Sequence, residues 1–167
     1  NDGTNGYELW TSDGTSNGTR LVRNIGPAST NAGISAVKDI GGQVLFPAND
    51  ALAGTELWIS DGSSNGTRMA RDIMPGGGSS SPQGLTGVGT AAVFSASDGL
   101  TGIEFWKSDG TSNGTVLVKD IGSGSSGSTP DNLAMVGSNL FFSASDPTNG
   151  AELWTSDGTS NGTVLVR

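Results

Sequence analysis

Asp50-Ala51-Leu52-Ala53-Gly54-Thr55-Glu56-Leu57-Trp58-Ile59-Ser60-Asp61-Gly62-Ser63-Ser64-Asn65-Gly66-Thr67 is the stretch from which the architecture can be read. It opens on an Asp and closes its first part on a Gly, which is loop composition. A short run rich in β-branched and aromatic residues follows, and then a cluster of Ser, Asp, Gly and Asn that reads as a turn between strands. The same pattern, D-x-x-x-G-x-E-[LF]-W-x-S-D-G-[TS]-S-N-G-T, begins at Asp2, Asp50, Asp98 and Asp146, at every forty-eighth position and with no insertion. All four tryptophans, Trp10, Trp58, Trp106 and Trp154, share one column. Twelve of the sixteen acids fall in three columns: the leading Asp, the Glu two residues before Trp, and Asp13, Asp61, Asp109 and Asp157.

Beyond this stretch, each repeat resolves into four short strands. In the last copy they are residues 133–136, 140–145, 151–156 and 163–166, separated by Gly, Asn, Asp or Pro. Segments of four to six residues bounded in this way are strand and hairpin signals. No stretch keeps a 3.6-residue apolar period over three turns, so almost no helix is expected. Residues 44–47, 92–95 and 140–143 are apolar on successive positions, which predicts strands covered on both faces. Four-stranded units of this period predict propeller blades, whose neighbours supply the core that one blade lacks. The expected fold class is therefore all-β: a β-propeller-like tandem repeat of four-stranded antiparallel blades, about three and a half repeats long. Its divisions are 1–24 (a half repeat, third and fourth strands), 25–73, 74–121 and 122–167. Burying one Trp per repeat contributes at most about 4–6 kcal/mol, so the four Trp read as packing anchors rather than as a ligand cage.

The composition now acquires a meaning. With 33% hydrophobic residues and 28 glycines in 167, the chain would otherwise border on disorder. Short stacked strands with generous loops need no more. The absence of Cys removes disulfide scaffolds, zinc–thiolate sites and thiol nucleophiles, and the absence of His removes a Ser-His-Asp hydrolase. Eight basic residues against sixteen acidic ones argue against nucleic acid as a partner. No apolar run reaches the roughly 18 residues of a membrane-spanning helix. There is neither an initiator Met nor a signal peptide, and the expectation is a segment of a longer chain or assembly.

Glu-Leu-Trp, two residues, then Asp-Gly-Thr resembles the ELWxxDGT repeat, which occurs in tandem in large secreted bacterial proteins. The resemblance covers the whole chain; Phe105 replaces Leu in one copy and Ser63 replaces Thr in another. The strand plan also looks kelch-like. The resemblance implies an extracellular or cell-surface, propeller-type repeat and carries no catalytic assignment.

Each candidate site has a structural reading beside it. Ser-Asp-Gly-Thr-Ser-Asn-Gly-Thr reads as a hairpin resembling an Asp-box, with Gly14 and Gly18 expected at positive φ and Asn-Gly as the hairpin signal. The same letters make Asn17, Asn65, Asn113 and Asn161 formal N-glycosylation acceptors. The loops opened by Asp2, Asp50, Asp98 and Asp146 hold one carboxylate each, fewer than a Ca²⁺ loop offers, and read as loop caps. A glycosidase would need two carboxylates in one cleft, and an active site would break the repeat, so no enzyme is expected. The Gly/Ser-rich connectors 76–82 and 122–130 read as surface loops, since no helix follows to cradle a phosphate. No catalytic residue, metal or cofactor is expected.

The first copy starts in its third strand and the last ends in its fourth, giving fourteen strands, two fewer than four full blades require. The expected partners are further copies or adjacent repeats, added head-to-tail at exposed strand edges, and glycans. The functional expectation is a non-enzymatic extracellular structural repeat protein (filament, sheath or adhesin array). The alternative is a carbohydrate- or ligand-binding, lectin-like propeller module using Trp, Asp and Asn.

Overall fold

The structure, a computed structural model, describes residues 1–27 and 29–166. Fourteen strands form four antiparallel sheets among these residues. The first has two strands, β1 (Leu9–Thr11) and β2 (Arg20–Arg23). The second has β3 (Lys38–Asp39), β4 (Val44–Asn49), β5 (Thr55–Ser60) and β6 (Arg68–Arg71). The third has β7 (Gln83–Val88), β8 (Ala91–Ser97), β9 (Ile103–Ser108) and β10 (Val116–Lys119). The fourth has β11 (Asp131–Val136), β12 (Asn139–Asp146), β13 (Gly150–Ser156) and β14 (Val164–Leu165). Each is a meander in chain order. The only helical residues among those described are a single 3₁₀ turn at Gly124–Ser126. No helix among them is long and apolar enough to cross a membrane.

The register repeats with the sequence. Phe46 lies opposite Trp58, Phe94 opposite Trp106, and Phe142 opposite Trp154. Central strands run longer than the sequence implies, because the ladder continues to Asn49, Ser97 and Asp146 at the mouth of each Asp loop. The first strand is short, because Tyr7 bonds the connector instead, donating its amide to Asn31 Oδ1 (2.8 Å) and accepting from the Ala32 amide (3.0 Å).

Successive apolar residues do serve opposite faces. Leu45, Leu57 and Ile59 pack with Phe94, Ala96 and Trp106 of the third sheet. Their neighbours Phe46 and Trp58 pack back against Leu9, Val22 and Ile25 of the first. Val93, Phe105 and Val118 meet Leu140, Phe142 and Trp154 in the third cluster, where the Phe105 and Phe142 rings stack at 4.7 Å. The core is therefore three inter-sheet layers, each receiving one Trp from the later sheet. A cation clasps each layer at the turn. Arg23 Nη1 donates to the Thr67 carbonyl (2.6 Å), Arg71 Nη1 to Thr115 (2.6 Å), and Lys119 Nζ to Thr163 (2.7 Å).

Candidate functional site

The four Ser-Asp-Gly turns are the most regular polar feature of the molecule. In the third copy the Gly110 amide donates to Ser108 Oγ (3.0 Å), and Ser108 and Thr115 hydroxyls lie 2.7 Å apart. Thr115 Oγ1 donates to the Thr111 carbonyl (2.7 Å), so its single proton is used and Ser108 must be the donor between them. The Thr111 amide (2.8 Å) and hydroxyl (2.7 Å) both donate to Asp109 Oδ1, while Gly114 donates to Thr111 Oγ1 (2.9 Å). The same six bonds recur at Asp13, Asp61 and Asp157. At Asp61 the Ser63 hydroxyl replaces that of Thr, which explains why the motif tolerates both. Hydrogen bonds from residue 15, 63, 111 or 159 hold all four carboxyls below the usual carboxylate range.

One sequence expectation about these turns is overturned. Gly14, Gly62, Gly110 and Gly158 do take positive φ (84° to 90°), whereas Gly18 and its equivalents do not, and neither do the preceding Asn residues. The turn is therefore not a two-residue Asn-Gly hairpin, whose central residues need φ > 0. Glycine is required at 18, 66, 114 and 162 for a different reason: a Cβ there would collide with the Asp13, Asp61, Asp109 or Asp157 carboxylate. The carboxylate and hydroxyls close the turn, and the glycine makes room for them. Asn17, Asn65, Asn113 and Asn161 stand exposed at the tips, their side chains without a hydrogen-bond partner among the described residues.

The leading Asp loops are capped from within. Asp50 Oδ1 accepts from the Leu52 and Ala53 amides (both 2.9 Å), Asp98 from Leu100 and Thr101 (both 2.8 Å), and Asp146 from Thr148 (2.7 Å) and Asn149 (2.6 Å). Asp2 does the same, and bonds from Asn5 and Thr4 lower its pKa to about 2. Among the described residues no three acidic, His or Cys side chains group as metal ligands.

Trp58, Trp106 and Trp154 are buried in the layers at 5%, 4% and 7% exposure, and Trp10 is half-buried at the open face of the first sheet. All four indole Nε1 groups lack a partner among the described residues, so these rings serve by their apolar area. Lys119 Nζ lies 5.9 Å from the Trp154 ring centroid.

The sequence reading missed the role of the Glu column. Glu56 and Glu104 are fully buried, and no cation among the described residues perturbs them. Glu104 accepts from the Ile121 amide (3.0 Å), the Gly122 amide (2.8 Å) and Ser128 Oγ (2.5 Å). Glu56 accepts from Ile73 (2.8 Å) and from Ser80 through its amide (2.9 Å) and hydroxyl (2.6 Å). Each carboxylate thus pins the connector to the next sheet. Burial pushes both pKa values up, opposed by these hydrogen bonds. Glu8 accepts from the Ile25 (2.8 Å) and Gly26 (3.2 Å) amides but from no serine, since Ala32 stands where Ser80 and Ser128 stand, and Glu152 is exposed. The available signal was the pair Ser80 and Ser128, which keep step with Glu56 and Glu104 along the string.

Comparison with known proteins bears on the fold. No family model matches the chain, and no curated protein matches it. Solved structures that resemble it include puromycin hydrolase (TM-score 0.64, 12% identity) and its S511A mutant complexed with PGG (TM-score 0.63, 13% identity). Each alignment covers 95% of this chain and 24% of the other, so the chain spans about a quarter of their length. These neighbours are β-propeller-like, in keeping with repeated antiparallel blades.

Proposed function

We propose that this is a non-enzymatic, extracellular structural repeat protein of ELWxxDGT type, a β-propeller-like array that grows by stacking further blades. The occupant of its open faces is a repeat of the same kind, in the same chain or in another copy, joined head-to-tail. The observation that carries this reading is the likeness of the outer faces to the inner ones. Leu153 is 48% exposed, while Leu57 and Phe105 in its column are fully buried beneath the next sheet. Half-buried Phe141 belongs to the column of Leu45 and Val93, which are buried in the same way. At the other end, half-buried Trp10 matches the three Trp residues that cover such faces within the molecule. Apolar area of this kind favours association, and contacts between unlike faces extend in one direction.

Light scattering across a protein concentration series, with electron microscopy of the same samples, tests the proposal. Mass that grows with concentration, fibres or stacked arrays, and loss of both in Leu153→Asp are the expected results. Monomers or isolated closed discs at every concentration would refute it.

The lectin-like alternative in its Trp-based form gains little support, because three of the four rings lie inside the layers. The four exposed Asn tips support glycan attachment as an accompanying proposal, and glycopeptide spectra showing unmodified Asn at all four sites would dispose of it.

A further inference from the structure

Between the third and fourth sheets lies a cavity of about 330 Å³, where the connectors enter β7 and β11. Its wall is fixed by backbone bonds: the Ser128 and Thr129 amides donate to the Ile103 carbonyl (2.9 and 3.0 Å). Gly84, at positive φ, lets Leu133 approach from the neighbouring strand; a Cβ would stand 3.2 Å from Leu133 Cδ1.

The lining is unlike the rest of the repeat. Ser81, Gln83, Thr129 and Asp131 line it, together with Ile103 and Pro130. The side chains of Ser81, Gln83 and Thr129 have no hydrogen-bond partner among the described residues, and Asp131 uses one oxygen, on the Asn132 amide (2.7 Å). In the preceding repeat Gly33, Ser35 and Pro47 occupy the columns of Ser81, Gln83 and Ser95, so the cavity chemistry is not copied along the chain.

The backbone supplies a second, independent observation. Gly33 has φ 67°, and Ser81 (48°) and Thr129 (47°) hold the same left-handed conformation in its column. Glycine adopts that region freely, Ser81 is uncommon there, and the β-branched Thr129 is a true outlier. At both strained positions the cavity gains a hydroxyl that glycine would not provide. Strain retained at a pocket wall is a mark of a functional constraint.

From this lining we infer that the cavity is a binding site for a neutral polyhydroxylated ligand of about one hexose ring. Asp131 and the Gln83 carbonyl accept from ligand hydroxyls, the Gln83 amide and the Ser81 and Thr129 hydroxyls donate to them, and Ile103 and Pro130 offer an apolar floor to the ring C–H face. No Lys or Arg lines the cavity, so an anionic sugar lacks a counter-charge and meets Asp131 instead. The inference does not depend on head-to-tail addition of further blades, since the site lies between two sheets of one molecule.

The test is amide chemical-shift mapping of the isotope-labelled protein with D-glucose, D-galactose, D-mannose and N-acetyl-D-glucosamine, each titrated to about 50 mM, and with D-glucuronate as the charged control. At least one neutral sugar should shift the amides of Gln83, Gly84, Asp131 and Asn132 with a millimolar dissociation constant, and glucuronate should not. Asp131→Asn should weaken that binding about tenfold. Thr129→Gly should weaken it while raising the melting temperature, an opposition that a merely structural Thr would not give. No shift at these amides with any of the four sugars, or binding untouched in both variants, overturns the assignment.

Discussion

The Glu column offers a perturbation with its control built into the chain. Glu104→Ala removes the acceptor of three donors: the Ile121 amide, the Gly122 amide and Ser128 Oγ. A buried donor left unsatisfied costs about 1–3 kcal/mol, and removing the buried carboxylate returns part of its own desolvation cost. The net expectation is a loss of about 3–5 kcal/mol, on the order of 10 °C in melting temperature at this length. Glu8→Ala removes two bonds at a half-buried position and should cost about 1–2 kcal/mol. Glu152→Ala alters an exposed side chain and should stay within about 0.5 kcal/mol. Urea titration of the three variants gives the ranking, and hydrogen exchange at the Ile121 and Gly122 amides should accelerate in Glu104→Ala alone. A Glu152→Ala variant as damaged as Glu104→Ala, or a neutral Glu104→Ala, would refute the assignment of the carboxylate as a connector pin.

The pH dependence carries opposite signs at the two acid columns. Glu56 and Glu104 have raised folded pKa values, so the extra stability of their protonated form is complete below the unfolded value near 4.5 and is lost as pH rises through the folded value, while the hydrogen bonds that pin the connector remain. Replacing Glu104 by Gln should therefore remove a fall in stability above pH 4.5, measured as melting temperature against pH. The turn Asp residues have lowered values, so their contribution is present above 3.8 and lost as pH falls through the folded value, modestly because they are exposed. Gly66→Ala should destabilise strongly on its own and much less beside Asp61→Ala, because the clash is with that carboxylate; additive losses in a double-mutant cycle would contradict this. Arg71→Ala should cost about 1–3 kcal/mol by denaturant titration and Arg71→Lys clearly less, since Lys119 makes the equivalent clasp to Thr163 at 2.7 Å. Acrylamide should quench Trp10 selectively, so Trp10→Phe should abolish most of the quenching.

What is local and repeated was legible in the string of residues alone. A strict repeat carrying β-branched runs between Asp, Gly and Asn specified fourteen strands, the meander of each sheet, and faces apolar on both sides. Those features follow from side-chain alternation and turn chemistry, which act over a few residues. The turns were legible as turns but not in their mechanism. Gly14 and Gly18 look alike in the string, and only the folded turn separates a glycine needed for φ 90° from one needed to admit the Asp13 carboxylate.

Packing between distant segments settled the rest, because a residue's environment depends on which connector folds back over it. Glu8, Glu56, Glu104 and Glu152 are one letter in one column, yet two are sealed and triply bonded, one is half-held, and one is exposed. Burial and hydrogen bonding are set by the connector that covers each carboxylate, and by whether it brings a serine, as Ser80 and Ser128 do, or Ala32. The cavity beside Thr129 arises in the same way, from two connectors and four strands, β7, β8, β9 and β11, that no local pattern joins. The repeat dictated where the blades form; their stacking dictated which identical residues became core, clasp or surface.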